Sequence, residues 1–300
     1  MASQTAPNGS WRESQYTRDM SGVKLGVLHP GAMGVSIAQS ALDSGCDVFW
    51  ASDGRGPSTR QRASRAGLID LGTIERLCEE CAVILSVCPP EFAADVAEAV
   101  AKTGFTGILA DLNAIAPQRK AGFAKALSAR GIRFADGGII GLPTRTHGET
   151  TVFLSGEAAH DVAACLTNGA IGARVLAGEA GRASALKILF AAYNKGSIAL
   201  FATLYAAARQ YSVLDELQQQ FAQRGVDLAT IETQILRAAP KAWRWVAEMQ
   251  EISAALEAVN MPGEFHQAAA TVYERLAHFK DTTSPELEHV LASLGGGNEA

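Results

Sequence analysis

A glycine-containing turn near the start of the chain has the residue types and spacing of a site for dinucleotide phosphates. The segment His29-Pro30-Gly31-Ala32-Met33-Gly34 joins an apolar run to a helical pattern. Gly31 would let the backbone approach a pyrophosphate, and Gly34 would let the helix pack closely on the strand. The free N–H groups and positive dipole end of a helix N-terminus attract phosphate. The turn therefore predicts a dinucleotide site, although His29 replaces the first glycine of the G-x-G-x-x-G fingerprint. An ordinary strand-to-helix turn is the alternative.

Hydrogen-bond donors follow the second predicted strand, where a dinucleotide ribose would lie. An NAD enzyme usually places Asp or Glu at this strand end. Here Asp53 comes one position late. The segment offers instead hydroxyl and guanidinium groups that suit a 2′-phosphate, on Ser52, Arg55 and Arg60. The sequence favours NADP over NAD as the cofactor, with a solvated polar loop before a helix capped by Ser58 as the alternative interpretation.

The cysteines and histidines do not form a metal motif. Cys78 and Cys81 have C-x-x-C spacing, but a structural zinc site needs four ligands and no second pair follows. We expect no metal and interpret both residues as buried, structural cysteines. The total of five cysteines is odd, which disfavours a disulfide framework and favours a cytoplasmic location.

Strand-like and helical patterns alternate through the first half of the chain and must position these groups. The apolar runs lie at 24–28, 47–51, 82–88, 107–112, 133–135, 150–155 and 173–176. Their alternation with helical patterns predicts a mainly parallel, doubly wound sheet, which is an α/β Rossmann domain over residues 22–177. From residue 178 the patterns are helical throughout, so residues 178–300 are predicted to form an all-α domain for substrate binding and dimerisation.

The helical half opens with a long segment, from Gly181 to about Tyr211, that is apolar on most faces. Helices of this kind are buried. One small helical domain should not cover so much apolar surface, and we therefore expect a homodimer whose helical domains pack on each other.

Composition excludes several classes of partner. The 26 basic and 31 acidic residues contain no basic cluster of the kind that binds nucleic acid. No apolar run approaches the roughly 20 residues that span a bilayer. Residues 1–21 are polar and lack the apolar region of a secretory signal, so we interpret them as a flexible leader. We expect a soluble cytoplasmic protein that acts on a small molecule.

Four motifs together resemble the β-hydroxyacid dehydrogenase superfamily, which includes 3-hydroxyisobutyrate dehydrogenases, 6-phosphogluconate dehydrogenases and imine reductases. Gly26–Gly34 is similar to the family's G-F-I-G-L-G-x-M-G, and Asp111–Pro117 to D-M-S-T-x-S-P. Asp136–Leu142 resembles the substrate loop D-A-P-V-S-G-G, and Gly178–Lys187 resembles G-x-x-G-x-x-x-x-x-K. The resemblance extends from Lys24 to about Phe279. It is strongest to a branch that joins a 6-phosphogluconate-dehydrogenase-type cofactor domain to a C-terminal domain of formerly unknown function.

The resemblance assigns roles to individual residues. It makes Lys187 the catalytic acid/base, with a lysine extending from a buried helix to solvent as the alternative. Cys88, Pro89 and Asn113 join the cofactor site. The substrate candidates in the family's motifs are Asn113, Gly138, Ile139, Ile140 and Gly141. Helical position adds Ser184, Asn194 and Trp245, with core packing as the alternative for Trp245.

The chain departs from the family pattern where substrate would bind. The family's asparagine one turn after the lysine is Ala191, and the serine of the substrate loop is Ile140. A more apolar pocket is expected, which disfavours the family's small β-hydroxyacids. The leading hypothesis is hydride transfer to or from a hydroxyl-bearing carbon. Imine reduction is the alternative activity, opposed by the retained Lys187, and a non-catalytic dinucleotide-binding protein is the third possibility.

Overall fold

Residues 20–295 are described by a computed structural model, so the predicted leader lies outside the described residues except for Met20 and Ser21. Met20 is buried in the core of the first half, and its carbonyl accepts a hydrogen bond from the backbone N–H of Val23. Met20, the second-last residue of the predicted leader, is therefore part of the core.

Eight strands form one sheet that organises the first half of the chain. They are β1 (Lys24–Val27), β2 (Asp47–Trp50), β3 (Ile69–Asp70), β4 (Val83–Ser86), β5 (Ile108–Asp111), β6 (Arg133–Ile140), β7 (Thr151–Ser155) and β8 (Gly172–Val175). Their order is β3-β2-β1-β4-β5-β6-β7-β8. Every adjacent pair is parallel except β6 and β7, which are antiparallel. The predicted Rossmann architecture is confirmed, and its strand order reverses between β1 and β4, where open α/β sheets bind ligands.

Six helices accompany this sheet: α1 (Ala32–Asp43), α2 (Pro57–Arg65), α3 (Ile74–Glu80), α4 (Ala93–Lys102), α5 (Pro117–Ser128) and α6 (Ala159–Ala164). The sequence predicts the helix α2 only under the alternative interpretation of the segment after β2. This helix buries a single residue, Ala63, so its sequence has no apolar periodicity. It starts at Pro57 after the N-cap residue Gly56, so the suggested cap at Ser58 is wrong. Proline at a first helical position fits this start.

The strand β6 is longer than the sequence predicted. Residues 136–140, expected to form a substrate loop, belong to this strand and pair with β7, with Asp136 opposite Ser155 and Ile140 opposite Thr151. The glycines at 137 and 138 resemble a turn, but close contact explains them. A Cβ on Gly137 would lie 2.1 Å from Leu112 Cδ2, and one on Gly138 would lie 2.7 Å from the carbonyl oxygen of Ala183.

The second half is helical, as predicted. It comprises α7 (Arg182–Gln210), α8 (Leu214–Gln223), α9 (Leu228–Ala238), α10 (Ala242–Glu257), α11 (Glu264–Arg275) and α12 (Leu287–Leu294). The buried side of α7 contributes Ile188, Tyr205 and several alanines to one core with α9 to α12. Its other side leaves large apolar side chains exposed: Leu186, Leu189, Phe190, Tyr193, Leu200 and Leu204. Within residues 20–295 no helix is both long and apolar enough to cross a bilayer.

Candidate active site

The turn between β1 and α1 has room for a phosphate at the helix N-terminus. Gly31 is the N-cap of α1, and a Cβ added to it would meet no atom within 4 Å. A Cβ on Gly34 would lie 2.2 Å from the carbonyl oxygen of His29, so the helix passes too close to the turn for any other residue. The first turn of α1 has no acidic residue and no side-chain cap, which leaves its N–H groups for an anion. These features fit the dinucleotide that the sequence predicts; Ala32 and Met33 supply the first N–H groups, and Pro30 is buried in the turn.

The loop after β2 brings Ser52, Arg55 and Arg60 together at the same edge of the sheet. Arg60 donates hydrogen bonds to the carbonyl oxygens of Ser52 at 2.8 Å and Arg55 at 3.1 Å, and so fixes the loop backbone. The Nε atom of Arg55 is buried without a hydrogen-bond partner. Burial, with the charge of Arg55 in addition, lowers the pKa of His29 to about 4. Of the three predicted phosphate ligands, Arg55 retains a free polar atom beside the turn, and Arg60 holds the loop.

Asn113 lies at the edge of β5 with its side-chain amide fully engaged as a donor. Its Nδ2 atom donates to Ser86 Oγ at 3.0 Å and to Asp111 Oδ2 at 3.1 Å, and its Oδ1 atom accepts from the backbone N–H of Cys88 at 2.6 Å. The amide therefore ties the end of β4 to the end of β5. What remains for a ligand is one lone pair of Oδ1. Burial raises the pKa of the Cys88 thiol to about 11, and Pro89 beside it is exposed.

A buried lysine continues this network beneath the site. The Lys120 side chain is 0% exposed, and its Nζ atom lies 2.6 Å from Asp111 Oδ1 and 3.5 Å from Asp136 Oδ1. It also donates to the backbone carbonyl oxygens of Asp111 and Gly137. One ammonium thus faces two buried carboxylates, an arrangement in which removing the cation leaves two unpaired charges.

Asp136 connects this hydrogen-bond network to the N-terminus of α7. Its Oδ2 atom accepts from the backbone N–H groups of Gly181 at 2.8 Å and Ser184 at 3.1 Å, and Oδ1 accepts from the Ser184 hydroxyl. Burial would raise the pKa of Asp136, but the Lys120 ammonium and the hydrogen bonds from Ser184 outweigh it and lower that pKa. A carboxylate at this position satisfies N–H groups that the helix cannot and complements its dipole. The Ser184 hydroxyl is therefore used within the protein.

Lys187 follows Ser184 by one turn and packs on β6. A Cβ on Gly138 would lie 2.7 Å from Lys187 Cβ, so the glycine permits the helix to bring this lysine against the strand. The Lys187 side chain is half-buried, and within residues 20–295 its ammonium forms no hydrogen bond or ion pair. Ile139 is buried and Ile140 half-buried on the same strand, and Gly141 follows in the left-handed region at φ 131°. The structure thus places the predicted acid/base beside an apolar strand.

The remaining substrate candidates lie further along α7. Asn194 is exposed. Trp245 is half-buried on α10, where its ring stacks edge-on against Tyr273 at 5.2 Å between centroids. The Lys195 ammonium lies 4.8 Å from the Trp245 ring centroid and is paired with Glu248. Burial lowers the pKa of Lys195, Glu248 opposes this, and the charge of Lys187 adds to it. Trp245 therefore belongs to a buried charge cluster close enough to Lys187 for the two lysine charges to interact.

A carboxylate of the helical half also holds the start of α5. Glu251 Oε2 accepts from the backbone N–H of Ala116 at 2.7 Å, and Oε1 is paired with Arg119. A cavity of about 430 Å³ lies beside this contact, between the segment after β4 and α10; Lys187 does not line it. The contact joins the two halves close to Asn113.

Sequence reasoning missed the residues that hold the site together. Spacing along the sequence does not show that these residues are buried or that they pair with one another: Lys120, Asp111, Asp136, Lys195 and Glu248. Two of these residues carry a sequence signal, since Asp111 and Asp136 each begin a motif that resembles one of the family.

Comparison with known proteins agrees with this geometry. A family model described as the NAD binding domain of 6-phosphogluconate dehydrogenase matches residues 24–181. A second, described as a domain of unknown function (DUF1932), matches residues 208–276. Among curated protein sequences, none matches the chain.

Solved structures share the fold over nearly the whole chain. A conserved hypothetical protein from Sinorhizobium meliloti 1021 is 20% identical, with 94% of this chain and 99% of that one covered and a TM-score of 0.70. A 3-hydroxyisobutyrate dehydrogenase from Salmonella typhimurium is 18% identical, with 90% and 99% covered and a TM-score of 0.66. A reductive aminase from Aspergillus terreus is 18% identical, with 91% and 99% covered and a TM-score of 0.54.

Proposed function

The chain belongs to the β-hydroxyacid dehydrogenase superfamily, an oxidoreductase family with an NAD-binding domain, and from this premise we propose its specific activity. It is an NADP-dependent enzyme that transfers a hydride between the nicotinamide and a hydroxyl-bearing carbon, with Lys187 as the acid/base. The observation that carries the proposal is the half-buried Lys187, whose Cβ lies against Gly138 and whose ammonium has no partner among residues 20–295. A half-buried lysine whose ammonium is not used within the protein is available to a ligand or a reaction.

The protein's part in the reaction is to hold and move one proton. The bound cofactor would supply or accept the hydride. Lys187 would donate a proton to the substrate oxygen during reduction and, as the neutral amine, accept the hydroxyl proton during oxidation. Asp136 would keep the first turn of α7 in place while this happens, since it accepts hydrogen bonds from Gly181 and Ser184.

The choice of NADP is supported by the loop after β2. An anion is favoured there because Arg55 has an unpaired buried Nε atom and Arg60 stabilises the loop that presents it. Asp53, the nearest acidic residue in sequence, is exposed and follows Ser52 rather than ending the strand. Gly31, Gly34 and the first N–H groups of α1 would hold the pyrophosphate, with Asn113, Cys88 and Pro89 at the adjoining strand ends.

The substrate is proposed to be a ketone, an aldehyde or the corresponding alcohol with an apolar body. Ile140 is half-buried and shares the face of β6 on which Gly138 contacts Lys187, so an apolar group would bury well there; Ile139 points to the opposite face, into the core of the first half. Reduction of an imine is the second candidate, favoured by the structural likeness to a reductive aminase. Lys187 opposes it, because an ammonium facing a protonated imine would repel it.

The experiment is a turnover screen of the purified chain with NADP⁺ or NADPH, followed through the absorbance of the reduced nicotinamide. We expect oxidation of some hydroxy compounds and reduction of the matching carbonyl compounds. Turnover of cyclic imines alone would replace the proposal with imine reduction. Cofactor binding with no turnover on hydroxyacids, aldehydes, ketones or imines would contradict an enzymatic role.

A homodimer completes the proposal. The exposed apolar side chains of α7 recur at spacings of three, four and seven residues (Leu186, Leu189, Phe190, Tyr193 and Leu200), which places them on one face. Such a face is characteristic of an interface. Light scattering should give a dimer for the wild type and a smaller mass for Leu189→Glu. Leu142→Glu, at an exposed apolar position on another element, is the control. A wild-type monomer at micromolar concentration would rule the dimer out.

We also propose a cytoplasmic location. All five cysteines are free thiols, and four of them are buried, which suits a reducing compartment. Fractionation of cells that express the tagged chain would test it, with enrichment outside the cytoplasmic fraction as the contrary result.

A further inference from the structure

His29 occupies the first position of the dinucleotide turn, where the G-x-G-x-x-G fingerprint has a glycine. Its carbonyl oxygen accepts a hydrogen bond from Gly31 at 2.7 Å, and its backbone follows β1 directly. The imidazole is half-buried, and its Nδ1 atom is buried without a hydrogen-bond partner. A buried ring nitrogen without a partner is costly in a folded protein unless a ligand satisfies it.

Arg55 lies in the loop after β2, the strand that pairs with β1, and it also has a buried nitrogen without a hydrogen-bond partner. Its Nε atom is the other orphaned buried nitrogen at this edge of the sheet. Its charge reaches the imidazole, since it adds to the effect of burial that lowers the pKa of His29 to about 4. Two groups that can both donate hydrogen bonds to a phosphate therefore follow neighbouring parallel strands.

The other charged groups around His29 are committed elsewhere or lie apart. Arg60 donates to backbone carbonyl oxygens of the loop, and Arg62 of α2 donates to Pro30 O at 3.5 Å and to Thr59 Oγ1 at 3.1 Å. The first turn of α1 has no acidic residue. Asp53 is exposed on the loop, and Cys88 after β4 is protonated at neutral pH because burial raises its pKa to about 11.

We propose that His29 and Arg55 together bind the 2′-phosphate of NADP, and that His29 takes up a proton when this phosphate binds. The inference rests on the proposed function, since it presumes that the turn holds a dinucleotide. It adds a residue from the turn after β1 to the donors predicted after β2 and makes cofactor choice depend on a proton. The protonated ring donates from Nδ1 to a phosphate oxygen, and Arg55 donates from Nε; the proton comes from the solvent and no bond of the cofactor changes.

The direction of the pH dependence follows from linkage. In the free protein His29 is neutral above a pH of about 4. A phosphate dianion stabilises the imidazolium and raises its pKa, so the complex holds one more proton than the free protein at pH values between the two pKa values. NADPH affinity should therefore fall as pH rises through this window, by at most about tenfold per pH unit for one proton. NADH has no 2′-phosphate and should lack the effect.

The experiment is calorimetric titration of the full chain with NADPH and with NADH, at several pH values around neutrality and in two buffers of different ionisation enthalpy. The variants are His29→Gln, which keeps a polar side chain without the charge, and His29→Gly, which restores the common glycine. His289→Gln is the control, since that side chain is 75% exposed on α12. The phosphate's own protonation is shared by all proteins, so the difference between wild type and variant isolates His29.

We expect both His29 variants to lose the extra proton uptake and to bind NADPH roughly tenfold or more weakly, as expected for a lost charge-assisted hydrogen bond. NADH affinity should change much less than NADPH affinity, which also reports that the turn is intact. Equal losses for NADPH and NADH, or proton uptake identical to wild type, would overturn the inference while leaving an NADP enzyme in place. Preference of the wild type for NADH would overturn the cofactor choice as well, and failure to bind either dinucleotide would overturn the proposed function itself.

Discussion

Two lysines of α7, eight residues apart, differ in whether their charge is paired. Lys195 is mostly buried, is paired with Glu248 and lies over the Trp245 ring. Lys187 is half-buried against the Gly138 backbone and has no hydrogen bond or ion pair among residues 20–295. The charge of Lys195 neutralises Glu248, so we interpret Lys195 as a structural residue. The charge of Lys187 is not needed by any neighbour, which leaves it available for chemistry.

The difference comes from the elements that face each lysine. The helix α10 presents an aromatic ring and a carboxylate to Lys195, whereas β6 presents a glycine to Lys187. The fixed geometry near Lys187 is supplied one turn earlier, where Asp136 binds the N-terminus of α7 and Lys120 neutralises Asp136. The proposed acid/base is thus left unpaired, while hydrogen bonds hold the backbone at the start of its helix.

The largest expected loss of stability comes from substituting Lys120, which neutralises the carboxylate that binds the start of α7. Lys120→Met leaves Asp111 and Asp136 buried without their cation, which should cost about 3–5 kcal/mol of folding free energy. Chemical denaturation of variant and wild type measures it. Lys125→Met, on the exposed side of the same helix, should change stability little. A loss below about 1 kcal/mol would mean that the two carboxylates do not depend on Lys120.

A smaller loss is expected at Lys195. Lys195→Met leaves Glu248 unpaired, but the two side chains are 16% and 11% exposed, so water relieves part of the cost and about 1–3 kcal/mol is expected. The double variant Lys195→Met, Glu248→Leu should recover most of this loss, since apolar residues can replace a buried pair. If the loss of folding free energy in the double variant equals the sum of the losses in Lys195→Met and Glu248→Leu, the two charges are not coupled.

The smallest expected effect on stability is at Lys187. Since its ammonium has no partner, Lys187→Met should change the free energy of unfolding by less than about 0.5 kcal/mol. Thermal denaturation beside Lys195→Met gives the comparison directly. A loss as large as that of Lys195→Met would assign Lys187 to packing and remove the contrast between the two lysines.

The sequence predicted the architecture well because alternating strand and helix patterns report burial directly. It also located Gly31, Gly34 and Lys187 by their motif positions. It ended β6 too early, because Gly137 and Gly138 look like a turn, whereas they are there for close contacts with Leu112 and Lys187. It selected Asn113 and Ser184 as polar groups for a ligand, but the structure engages both in the protein. Which polar groups satisfy one another is set by three-dimensional packing, so Lys120 and Glu248 could not be recognised from spacing.

The most direct test of the account is the turnover of Lys187→Met on a substrate found in the screen, at saturating NADPH, beside wild type. Loss of a general acid/base should lower kcat by roughly 10²–10⁴-fold, while NADPH affinity and thermal stability stay at wild-type values. That combination is what an unpaired, reactive lysine predicts. Turnover within a few-fold of wild type, with the cofactor still bound, would contradict the assignment of Lys187 as the acid/base.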